Sequence, residues 1–439
     1  MRKLYRVRLG AMELRPTRST PRKILSYLDH SDPRMAKSKG MQFEGQERDL
    51  KDTADITSVG RVFKDGDSGP RTDPSLLILG SVMGLGAAAA SLVCPAPLLL
   101  LTIPVGGAML KGAYSQAKHM LEQRKHDQSN LNFKGSRTWQ IEGHDEKVGN
   151  IDSPLLAKDS AAQPSRADFK EFVDSHLEAD KNNVLVLHGH GFPGVQARIG
   201  SLPISDVSRV LKKKCRETGL KTGLMVLDSC QLGNLSVLKA LEGTTDYLVA
   251  SEADIDIAVQ SDHRKSFNPF SSLARTADDN RDLAHRVVDE ARGVSTLAAY
   301  DMTKLPGLFD GLDKLGKLLT EKNDRNAVKM MLAGALKDTK TSTQSANEPM
   351  VIDLGAFCER IKKESRNPET QQQAKVVLKE MDAVVTRKKS SGKFAESSHL
   401  SFHNPHRMHQ RDRNELLPSR LPDGWKDFLR SQITQKSGF

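Results

Sequence analysis

Asn182–Phe192 reads NNVLVLHGHGF, and Thr222–Gly233 reads TGLMVLDSCQLG. Each stretch opens on a short unbroken apolar run, Val184–Leu187 or Gly223–Leu227, and closes on glycine and polar residues. Continuous apolar runs of this length, bounded by turn residues, are the pattern of strands buried on both faces of a parallel sheet. A third run, Asp246–Ala250 (DYLVA), follows at the same kind of spacing. Helix-compatible stretches lie between and before these runs: Arg166–Leu177, Val207–Thr218 and Ser236–Leu241. Strand and helix alternating in this order predict an α/β/α sandwich with a mostly parallel central sheet.

In open α/β sheets reactive groups gather at the carboxyl ends of the strands. The first run ends in His188-Gly189-His190-Gly191 and the second in Asp228-Ser229-Cys230. A thiol and an imidazole at the tips of neighbouring strands are the two groups that nucleophilic thiol catalysis requires. The glycines leave room for a substrate backbone, and the backbone N–H of Gly191 is a candidate oxyanion donor. Taken singly, a strand-end cysteine is more often a small apolar residue and a strand-end histidine a loop residue. Their joint placement is what points to chemistry.

With these motifs in hand, the stretch resembles the clostripain family of caspase-like cysteine peptidases. A helix and a strand ending in HG, a strand ending in Asp-x-Cys, and a following strand ending in Ser-Glu (DYLVASE, Asp246–Glu252) appear in the family's order. Thr296–Leu319 resembles its strand leading into a helix through an Asp, and HLSFHNP (399–405) and GWKDFL (424–429) resemble its C-terminal strand and Trp-containing last helix. The resemblance implies a cysteine endopeptidase acting on peptide substrates after Arg or Lys, with Cys230 as nucleophile. The family's spacing gives the general acid/base place to His190, with His188 as the runner-up. Asp228 stands two residues before Cys230 and so on the same side of the strand. A carboxylate there would oppose thiolate formation, so it suits the floor of the pocket for the residue before the cut. The family's taste for basic residues implies the same. Glu252, Asp254 and Asp256 are the candidates for a second pocket acid, each alternatively a solvated loop residue. Arg198, and less readily Lys212–Lys214, could serve self-processing. Two departures stand out: Phe192-Pro193 follows the HG where the family has Gly-Trp, and the family's first strand has no evident copy.

The rest of the chain is less regular. The net charge is +11, of which +8 lies in residues 1–40, where eleven Lys/Arg face three Asp/Glu. No aromatic-interleaved basic motif accompanies it, so no nucleic-acid partner is expected. The four cysteines, Cys94, Cys215, Cys230 and Cys358, form no disulfide framework and no metal-ligand spacing. No cofactor is expected; calcium is implied for some relatives only, and no ligand cluster of recognisable spacing accompanies it.

Residues 1–74 read as a basic, weakly structured arm with at most a short helix near Arg22–Leu28. Ser75–Leu110 holds no charged residue in 36 positions and is interrupted at Cys94-Pro95-Ala96-Pro97. Two apolar helices joined at that turn, spanning about 75–112, would enter a membrane and return; a hairpin in a soluble core is the alternative. A linker helix over 113–138 and a peptidase domain over 139–435 complete the expected layout. The basic N-terminus lacks the apolar stretch of a cleavable secretory signal, so the expected location is a membrane surface, or the exterior as a secreted effector without such a signal. The competing function is a membrane-inserted interaction protein whose caspase-like domain is inactive.

Overall fold

A computed structural model of the chain describes residues 21–30, 56–65, 134–141, 155–159, 163–193, 197–255, 267–322 (except 276 and 278), 325–339, 351–405 and 421–433, together with Leu50. The apolar stretch 75–112 and most of the flanking linker lie outside them. Among the described residues no helix is long and apolar enough to cross a membrane.

Four strands lead: β1 (Arg22–His30), β2 (Ile56–Asp65), β3 (Lys134–Ile141) and β4 (Leu155–Asp159). Helix α1 (Arg166–His176) precedes β5 (Asn182–His188), after which β6 (Gly191–Phe192), β7 (Arg198–Ile199) and β8 (Leu202–Pro203) form a small ribbon. Then come α2 (Ile204–Thr218), β9 (Thr222–Asp228), α3 (Leu235–Leu241), β10 (Thr245–Ala250), α4 (Phe270–Leu273), α5 (Asn280–Glu290) and β11 (Thr296–Asp301). The C-terminal part holds α6 (Leu305–Glu321), α7 (Arg325–Asp338), β12 (Val351–Asp353), α8 (Leu354–Glu364), α9 (Pro368–Val384), β13 (Val385–Ser390), β14 (Ser401–His403) and α10 (Asp423–Gln432).

Nine strands form one sheet in the order β13-β11-β10-β9-β5-β1-β2-β3-β4. β10, β9, β5, β1 and β2 run parallel, and the strands at both edges pair antiparallel. The continuous apolar runs are explained by burial on both faces. Leu185, Leu187, Met225 and Leu227 join one core with Phe169, Phe172 and Val207. Val184, Val186, Leu224 and Val226 join a second with Phe270, Leu283 and Val287. The predicted sandwich with its mostly parallel sheet is therefore present.

The N-terminal arm needs correction. Arg22–Leu28, expected as at most a short helix, is strand β1, inserted between β5 and β2 in the middle of the sheet. Its polar residues are what hid it, and three of them are buried on distant partners. Arg22 donates to the carbonyls of Leu273 and Arg275, both at 2.7 Å. Lys23 pairs with Glu178, and Asp29 accepts from the Ser201 N–H at 2.8 Å. Residues 22–30 thus supply a central strand that lies far from its sheet neighbour β5 in sequence. The boundary at 139 falls inside β3, whose first residues were assigned to a linker helix. In the β2–β3 pair Asp65 stands opposite Lys134, so the chain leaves the sheet and rejoins it at adjacent positions.

Candidate active site

The parallel register of β5 and β9 sets His188 directly opposite Asp228 at the carboxyl ends of both strands. Both side chains are almost wholly buried, and His188 Nδ1 lies 2.8 Å from Asp228 Oδ2. An Nδ1–H donated to the carboxylate gives Asp228 a partner in the interior and fixes the imidazole ring. The two strand tips are tied a second time one step further on, where the Ser229 hydroxyl donates to the Gly189 carbonyl at 2.7 Å.

The chain then turns on each side and places the remaining residues. Gly191 lies flat against the Cys230 backbone: a Cβ there would fall 1.9 Å from the Cys230 carbonyl oxygen and 2.5 Å from its nitrogen. His190, one residue earlier, is partly exposed, and its carbonyl accepts from the Gly200 N–H at 2.7 Å. Ser201, beside Gly200, is held by Asp29 of β1, so the N-terminal strand steadies the turn that carries His190. Cys230 is a half-buried thiol outside any disulfide, and its sulfur accepts from the Ile255 N–H at 3.4 Å. An amide donor aimed at sulfur is a contact that a thiolate accepts well. The structure therefore brings His190, Gly191, Cys230, Asp228 and His188 into one strand-end cluster.

The loop after β10 is brought to the same cluster by Gln231, a residue the sequence reading passed over. Gln231 adopts φ 57°, the left-handed region that non-glycine residues seldom occupy. It is held there by its N–H donating to the Ala253 carbonyl at 3.0 Å and by its side-chain amide donating to Asp254 Oδ1 at 2.6 Å. Backbone held in a sparsely populated region by its surroundings is common where a reactive group must be aimed. Nothing in the residue type announced it.

The pocket-acid candidates separate. Asp254 is half-buried beside Gln231. Asp256 lies outside the described residues. Glu252 is a correction: it is buried, and Ser397 donates its hydroxyl to the carboxyl group. Burial first, and the neighbouring carboxyl of Asp353 second, push the Glu252 pKa well above the ordinary carboxylate value. An acid buried behind Ser397 is out of a substrate's reach. Because the folded protein binds the carboxyl proton more tightly than the unfolded chain, Glu252 subtracts stability as pH rises from the ordinary carboxylate range toward its raised value. Glu252→Gln keeps the shape and the Ser397 contact. It is expected to flatten the fall of Tm between pH 5 and 8 and to raise Tm at the alkaline end. A wild-type Tm that climbs over that interval relative to the variant would contradict this assignment.

No group of three or more metal-ligating side chains occurs among the described residues. The thiols of Cys215 and Cys358 play no part in the cluster; burial pushes the Cys358 thiol far above its usual value.

The order of these elements and the strand-end Cys and His fit one group of enzymes, and the family model for the clostripain family matches residues 169–417. The chain belongs to the clostripain family. As a clostripain-family member it is a cysteine-type endopeptidase. No curated protein sequence matches it. Among solved structures it is similar to an inactive zymogen C11 protease from Parabacteroides distasonis, at TM-score 0.54 and 12% identity, covering 95% of this chain and 99% of that one. It is also similar to iotapain, a secreted C11 cysteine protease from Bacteroides thetaiotaomicron, at TM-score 0.52 and 12% identity, covering 88% and 93% of the two chains. A secreted C11 protease from the same organism in complex with an irreversible peptide inhibitor gives TM-score 0.51 at 11% identity, covering 93% and 99%. At these identities the likeness shows the fold.

Proposed function

We propose that Cys230 and His190 form the catalytic dyad of this clostripain-family peptidase and that it cuts after Arg or Lys. The observation that carries the reading is the contact of the Gly191 and Cys230 backbones, which sets the residue after His190 directly against the nucleophile's main chain. The Cys230 thiol passes its proton to His190 as the sulfur attacks the substrate carbonyl carbon, and His190 delivers that proton to the leaving amine nitrogen as the peptide bond breaks. Water then attacks the acyl-enzyme, giving a proton to His190, which returns it to the sulfur as the thioester bond breaks and the carboxyl product departs. The Gly191 N–H is assigned to the oxyanion. The basic preference rests on the carboxylate of Asp254, half-buried beside Gln231; Asp228, expected at the pocket floor, is instead buried and taken up by His188. No metal or cofactor enters this scheme.

The test uses the full chain with fluorogenic peptides carrying Arg, Lys or a neutral residue before the cleavable bond. Cys230→Ala is expected to lower kcat by on the order of 10^4-fold or more, as loss of a catalytic nucleophile does. His190→Ala should approach the same floor. A wild type as inactive as Cys230→Ala on a broad peptide library would instead favour an interaction protein that keeps the fold without the chemistry.

A further inference from the structure

Beyond the dyad, the small β6-β7-β8 ribbon carries an exposed feature that the peptidase chemistry does not use. Phe192 is 43% exposed, whereas the other phenylalanines and both tryptophans among the described residues are buried. Its cross-strand partner is Arg198, whose guanidinium carbon sits 4.3 Å above the Phe192 ring. No carboxylate among the described residues pairs with that cation. An exposed ring stacked under an arginine loses apolar surface to water and restrains a long side chain, so the pair gains little for folding by itself.

The platform is rigid and is aimed at the site. Ala197 and Ile199, on either side of Arg198, are buried in the main core. Gly200 is bonded to the His190 carbonyl, which fixes the ribbon to the catalytic turn. The rings of His190 and Phe192 are 6.4 Å apart between centroids. His190 gives its proton to the leaving nitrogen, so the chain released first, beyond the cut, lies on the imidazole side. Extended peptide advances about 3.3 Å per residue. The distance from His190 to Phe192 is therefore about two residues of substrate.

We propose that Phe192 and Arg198 form a subsite for the second residue after the cleaved bond, and that it selects an acidic side chain. The aliphatic part of a glutamate or aspartate lies over the phenyl ring, and its carboxylate meets the guanidinium. This rests on the dyad reading above and extends it to the leaving side of the substrate.

The test uses the full chain and internally quenched peptides, identical except for Glu, Gln, Ala or Lys at that second position. Wild type is expected to prefer Glu over Gln by roughly three- to five-fold in kcat/KM, the size of a partly exposed ion pair, and to disfavour Lys. Arg198→Gln should bring the Glu-to-Gln ratio to about one, and Arg198→Glu should invert the order of Glu and Lys. Phe192→Ala should narrow the same ratio. Intact mass is measured alongside, and loss of the ratio that follows only from a cut after Arg198 would overturn the proposal. So would a flat wild-type series whose hydrolysis still depends on Cys230, which leaves the peptidase reading standing. If no peptide is hydrolysed by the wild type, the subsite and the dyad reading fail together.

Discussion

Gly191→Ala is expected to lower kcat/KM by at least roughly 10^2- to 10^3-fold, the range found when one oxyanion donor is displaced. The cause is steric and local. The added methyl would fall 1.9 Å from the Cys230 carbonyl oxygen, 2.5 Å from its nitrogen and 2.7 Å from its carbonyl carbon. All three are backbone atoms, so no side chain can rotate away. Either the ribbon starting at β6 lifts off the nucleophile's turn, or that turn moves with Gln231 and its bonds to Ala253 and Asp254. In both cases the Gly191 N–H and the Cys230 sulfur leave their shared geometry. Overpacking also costs stability, about 1–3 kcal/mol, so the variant's unfolding midpoint should be measured with its kinetics. Near-normal activity in a folded Gly191→Ala protein would show that the two backbones do not lie together as described.

His188→Ala should give the largest loss of stability of any substitution at the strand tips, about 3–5 kcal/mol. It leaves the Asp228 carboxylate in the interior without the imidazole that now bonds to it at 2.8 Å. Removing one member of a buried pair costs more than the pair itself contributes, because the other charge stays desolvated. The measurement is the shift in urea midpoint of the full chain. A double-mutant cycle with Leu at 188 and 228 separates coupling from burial, and the double variant should recover part of the loss. A His188→Ala shift under about 1 kcal/mol would rule out a structural pair. Since β5 and β9 end in this bond and carry His190 and Cys230 just beyond it, loosening should also depress activity in the fraction that remains folded.

How much of this was legible in the sequence depended on where each residue finds its partner. β5 and β9 were readable because a strand buried on both faces announces itself as an unbroken apolar run. The Cys230 and His190 turns were readable because they sit at the ends of those runs. β1 was not, since Arg22, Lys23, Ser26 and Asp29 interrupt its apolar residues, and the partners of Arg22, Lys23 and Asp29 lie far along the chain, at Leu273, Glu178 and Ser201. Two histidines stood two residues apart in the motif. Only the pairing of β5 with β9, which sets His188 across from Asp228, gives one of them a buried structural place. Glu252 and Asp254 looked alike as acids after a strand. Burial, with the Asp353 carboxyl nearby, pushes the pKa of the first well up, and the second faces Gln231.

The central position of β1 also bears on the order in which the protein can be assembled. Its neighbours β2 and β5 are joined to it across long stretches of chain, and parallel pairs of such wide separation form late and slowly. During synthesis β1 and β2 exist well before Asn182 has been added, and β1 presents an unpaired edge until β5 arrives. The turn that carries His190 is held by Asp29, so catalytic competence requires β1 to be seated beside β5. A fragment cut between β2 and β5 would retain every residue of the proposed dyad and yet lack the strand against which β5 is held. For a protease made inside a cell, activity then arrives with the closed sheet rather than with the catalytic residues themselves.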